Sequence, residues 1–72
     1  MVDRTRAGLR CHTRYLVRTV KGNLSRGSEG TIESETENLG RHLIVVKWDK
    51  GFSVPVFPNE IEIEERIVEA AA

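Results

Sequence analysis

Alternation of apolar and polar residues at period two runs through most of the second half of the chain. It predicts strands rather than helices. In residues 60–64, EIEIE, Ile61 and Ile63 take one face and Glu60, Glu62 and Glu64 the other. Residues 41–49, RHLIVVKWD, are the strongest strand signal: Ile44, Val46 and Trp48 share one face, Leu43 and Val45 the other. Apolar side chains on both faces mark a central strand, buried at least in part on both sides. Asp49-Lys50-Gly51 reads as a hairpin connection. The return strand, FSVPVF over 52–57, aligns Phe52, Val54 and Val56. Pro55 has no N–H for a ladder, which places that strand at an edge or on a bulge. Phe52 and Phe57 are expected in the core with Trp48.

The first half is less periodic. Residues 31–37 alternate Ile32, Ser34 and Thr36 against Thr31, Glu33, Glu35 and Glu37, which predicts a strand with an acidic, solvated face. Asn38-Leu39-Gly40 is a turn, and residues 22–30, GNLSRGSEG, are turn chemistry throughout. Residues 9–21 fit two readings. Leu9, Thr13, Leu16 and Val20 fall on one side of a helix, beside a basic stripe of Arg10, Arg14, Arg18 and Lys21. The same stretch is rich in Thr, Val and Tyr and has no capping box, which favours extended chain. Extended structure agrees with the β pattern downstream. Residues 1–8 show no apolar period and are expected to form a flexible arm; residues 65–72 are expected to form a frayed tail. Five short strands joined by Gly-rich turns remain, over residues 9–64. Their core is expected to consist of Ile32, Leu43, Ile44, Val45, Val46, Val54, Val56, Ile61 and Ile63, with Trp48 partly buried. So small an antiparallel set closes most economically into a barrel, which removes exposed edges.

Composition narrows the class. The chain has 72 residues, 39% of them hydrophobic and 31% charged, enough for one small soluble domain. The longest uncharged run, Gly51 to Asn59, is too short to cross a bilayer, and no apolar segment follows the basic N-terminus as a secretory signal requires. A cytoplasmic monomer is expected. The single cysteine, Cys11, allows no internal disulfide. The net charge of zero hides a split: residues 1–26 hold seven basic residues against Asp3, a net of +6, and the remainder holds four against ten acids, a net of −6. The split fits a basic surface for an anionic partner. It also fits two halves that face each other within one fold.

The turn pattern resembles that of the small SH3-like barrels. The resemblance runs from about Gly8 to Glu64. It rests on a short first strand, a polar loop over 14–24 like the family's long first loop, and the Gly27-Ser28-Glu29-Gly30 turn. A hairpin around Lys50-Gly51 follows, and Phe57-Pro58-Asn59-Glu60-Ile61 resembles the short 3₁₀ turn before the last strand. Such barrels recur in bacterial proteins that bind other proteins or nucleic acid. They include KOW-type ribosomal and elongation modules, a ferredoxin-docking subunit of a photosynthetic complex and accessory proteins of nitrogenase. The resemblance implies an all-β, five-stranded SH3-like barrel with a binding role. It does not imply polyproline recognition, because the aromatic pairs of that site are missing and Tyr15 stands nearly alone.

The residues offer little catalytic chemistry. Cys11 and His12 are strand neighbours and diverge, so they form neither a nucleophile–base pair nor half of a metal site. Cys11 is expected to be a small buried apolar residue. The glutamate trios lie on solvated strand faces, and Gly27-x-x-Gly30 lacks the lysine and helix of a phosphate loop. No enzyme activity, cofactor or metal is expected. The expected role is a protein-docking accessory subunit or assembly factor. Its candidate surface is Arg14, Tyr15, Arg18 and Lys21 in the first loop, facing an acidic patch on the partner. The alternative is nucleic-acid, chiefly RNA, binding through the same cations and the basic N-terminal segment. Scarce aromatics for base stacking and the acidic second half weigh against it.

Overall fold

The computed structural model describes residues 2–64; the tail expected over 65–72 lies outside them. Among the described residues eight strands form: β1 (Val2–Asp3), β2 (Arg10–Thr13), β3 (Val17–Thr19), β4 (Gly22–Leu24), β5 (Glu29–Asn38), β6 (Arg41–Trp48), β7 (Ser53–Val56) and β8 (Ile61–Glu64). A 3₁₀ turn, Pro58–Glu60, precedes β8. No α-helix occurs among the described residues, and the extended reading of residues 9–21 holds. The main sheet runs β7-β6-β5-β2-β8 with all neighbours antiparallel, and β3–β4 is a separate hairpin. Among the described residues no ladder joins β7 to β8.

The long strand β5 organises the sheet. Its first half pairs with β2, Arg10 opposite Thr31 and His12 opposite Glu29, while its whole length follows β6. A bulge between Ile32 and Ser34 breaks its alternation. The bulge corrects the expected faces of 31–37. Gly30 and Ile32 point inward before it, and Glu35 points inward after it, only 4% exposed, in place of Ser34 and Thr36. One extra residue in a strand exchanges which parity faces the core.

Residues 2–8, within the expected flexible arm, also carry structure. Val2 and Asp3 pair with Thr36 and Glu35, and the Gly8 N–H donates to the Ile32 carbonyl. The hold is electrostatic and long-range, so apolar periodicity could not report it. Arg6 grips Glu35 with two bonds, Nε to Oε2 at 2.6 Å and Nη2 to Oε1 at 2.8 Å.

The core consists of Cys11, Val17, Leu24, Ile32, Ile44, Val46, Trp48, Val54, Val56 and Ile61, with Leu9, Phe52 and Ile63 packed against it. Trp48 is fully rather than partly buried, and Leu43 and Val45 are half-buried. Phe57 is 41% exposed, contrary to expectation, because the chain turns into the 3₁₀ segment there. Pro55 sits on the edge strand β7 opposite Val45. Since Trp48 N–H donates to the Phe52 carbonyl, the bonded pairs fall at 46–54 and 44–56, and the missing N–H of Pro55 falls on the outward side. Val46→Ala, which opens a cavity between β5 and β7, is expected to cost about 1–3 kcal/mol in chemical denaturation. A change below ~0.3 kcal/mol, within the scatter of surface substitutions, would contradict this placement.

Candidate functional site

Thr13 fixes the base of the first loop. Its buried hydroxyl donates to the Ser25 carbonyl at 2.9 Å and accepts from the Ser28 N–H at 3.1 Å. Backbone bonds from Thr13 to Ser28 and from Gly27 to Thr13 complete the closure. The loop is thereby pinched shut, and Val17 and Leu24, opposite each other in the hairpin, anchor it to the core. The pinned hairpin stands over one side of the sheet and forms a groove with it.

The groove has a volume of about 300 Å³. Val17 and Val20 wall it from the hairpin, Val54 and Val56 from β7, and Leu43 from β6. Phe57 and Glu60 close the end near the 3₁₀ turn. Val20, at the hairpin tip, is 99% exposed. Arg18 and Thr19 supply polar edges on the hairpin side. Glu60 is partly engaged, its carboxylate accepting the Phe57 N–H at 2.9 Å.

The structure divides the four residues read from the sequence as a binding surface. Arg18 lines the groove. Lys21 sits beside Val20 in the two-residue turn, where its N–H is bonded to the Thr19 hydroxyl. Tyr15 is half-exposed at the foot of the hairpin. Arg14 is turned to the other flank, toward β8: its Nε donates to the Ile61 carbonyl at 3.0 Å, and its Nη1 lies 3.6 Å from Glu62. The apolar walls escaped sequence reading because they come from the hairpin, β6 and β7, far apart in the chain.

The charge split resolves in part within the fold. Arg6 pairs with Glu35, and Arg14 with Glu62. Arg10 bridges Asp49 at 2.6 Å and Glu29 at 3.2 Å, and it holds the Asp49 carboxyl below its usual range. His12 lies between Glu62 and Glu64. Arg4, Arg18, Lys21 and Arg26 make no ion pair among the described residues. Two of these four belong to the hairpin beside the groove.

Cys11 is fully buried, and burial pushes its thiol up to about 11, a poor state for a nucleophile. No group of three or more candidate ligands converges on a metal site among the described residues, and no helix there is long and apolar enough to cross a membrane. No protein-family model matches the chain, and neither a curated protein nor a solved structure does.

Proposed function

We propose that this chain is a non-catalytic protein-docking module built on an SH3-like barrel, acting as an accessory subunit or assembly factor. The barrel reading is supported by the strand order, by the hairpin-bearing loop between β2 and β5, and by the 3₁₀ turn between β7 and β8. The binding reading rests on one observation. An apolar groove opens beneath a pinned hairpin whose two cations have no acidic partner among the described residues. Apolar walls reward an aliphatic side chain. Arg18 and Lys21 attract an acidic neighbour and steer its approach. The fitting partner is therefore a protein segment with one or two aliphatic residues flanked by Asp or Glu.

Selection from a displayed library of random peptides tests this. Enriched peptides are expected to combine acidic and aliphatic residues. Arg18→Glu with Lys21→Glu is expected to weaken their binding about tenfold or more, chiefly through association rate, and to leave stability nearly unchanged. Peptides without acidic residues, or full affinity in the double variant, would overturn the reading. Tight oligonucleotide binding with a steep salt dependence would replace it with nucleic-acid recognition.

A further inference from the structure

The hairpin between β5 and β6 turns through two residues, Leu39 and Gly40, with Asn38 paired to Arg41 across its mouth. Both central residues have positive φ, 53° for Leu39 and 77° for Gly40. This is the mirror-image turn that Asn-Gly fits without strain. Leucine is poorly suited to it, because a left-handed conformation crowds its Cβ against the carbonyl. Leu39 is also 93% exposed, so the fold itself gains nothing from its side chain. A strained, bare leucine points to a contact made outside its own chain.

The groove supplies a matching cavity. Its volume, about 300 Å³, admits one or two aliphatic side chains. The charges complement as well. Leu39 is flanked by exposed Glu37 and Arg41, and the groove is flanked by Arg18 on the hairpin side and Glu60 at the 3₁₀ end. An acid can meet Arg18 while a base meets Glu60. The chain's net charge of zero sets no long-range repulsion between copies.

We propose that the Leu39 tip of a second copy of this chain seats in the groove, and that the contact is made reciprocally in a two-fold dimer. Closure follows from adjacency. Leu43, which walls the groove, lies on the same hairpin as Leu39 and only four residues away, at most ~14 Å along a strand. A knob and a hole so close together can each be satisfied by one partner, whereas widely separated ones build open chains. The proposal replaces the monomer expected from the sequence. It rests on the groove as a docking site, and it makes self-association a competitor of the acidic segment.

Sedimentation of the purified protein over a wide range of loading concentrations tests it. The wild type is expected to move from monomer to dimer and to stop there. Leu39→Asn is expected to weaken dimerisation about tenfold or more, tenfold corresponding to ~1.4 kcal/mol. At concentrations where both proteins are monomeric, the same substitution should raise the thermal midpoint, since asparagine relieves the turn. A wild type that stays monomeric, growth beyond the dimer, or undiminished dimerisation of Leu39→Asn would overturn the proposal. Leu39→Asn leaves the groove intact, so acidic-peptide binding by the variant is expected to persist. Its loss in both proteins would instead count against the docking reading.

Discussion

Gly30→Ala is expected to lose about 3 kcal/mol or more of stability, through overpacking where nothing nearby can yield. Gly30 lies opposite Trp48 in the β5–β6 ladder. A Cβ there would stand 2.6 Å from Val46 Cγ1, 2.8 Å from the Lys47 carbonyl oxygen and 2.9 Å from Trp48 Cε3. The carbonyl is backbone within a ladder strand, and the valine and the indole are fully buried. Relief requires β5 and β6 to separate or the indole to leave its place. Small domains hold only about 5–15 kcal/mol in total, so such a loss is a large fraction of what holds the fold. Urea denaturation measures it. A cost under ~0.5 kcal/mol, the range of ordinary surface changes, would mean that Trp48 does not pack across Gly30.

Arg6→Ala is expected to cost about 1.5–3 kcal/mol at neutral pH, the usual worth of hydrogen bonds to a charged group. Glu35 is a nearly buried carboxylate whose oxygens are taken by Arg6 and by His42 Nε2 at 2.8 Å. A carboxylate only accepts, so this geometry puts the histidine proton on Nε2. Arg6 is the larger of the influences that hold Glu35 below its ordinary 4.5. A carboxyl that titrates lower in the folded than in the unfolded chain stabilises the fold above the unfolded value. That contribution is lost as pH falls below 4.5 through the folded value. Wild-type stability should therefore fall on the acid side more steeply than that of Arg6→Ala. Equal acid slopes in the two proteins would show that the N-terminal segment does not clamp Glu35.

Much of the sheet was legible because its signals are local. Alternation gave β8, an apolar run on both faces gave β6, and Gly51 gave the β6–β7 turn. Pro55 marked the edge through a property of one residue, its missing N–H. The inward turn of Glu35 was not legible, because it depends on a bulge that shifts parity and on Arg6, twenty-nine residues away. Gly30 looked like the end of a turn, although its role is set by Trp48 across the ladder. The candidate surface was legible in part. Basic residues in the first loop were visible, but at four-residue spacing nothing distinguished Arg14 from Arg18. Their separation comes from the Thr13 closure, which aims one toward β8 and sets the other over β7.

Amide chemical-shift mapping of the ¹⁵N-labelled protein with a library-selected acidic peptide tests the docking account most directly. Saturable shifts are expected to concentrate at Val17–Lys21, Leu43, Val54, Val56 and Phe57, with the β2–β8 flank around His12, Arg14 and Glu62 unmoved. Shifts confined to that flank, or a groove that stays silent at saturating peptide, would contradict it.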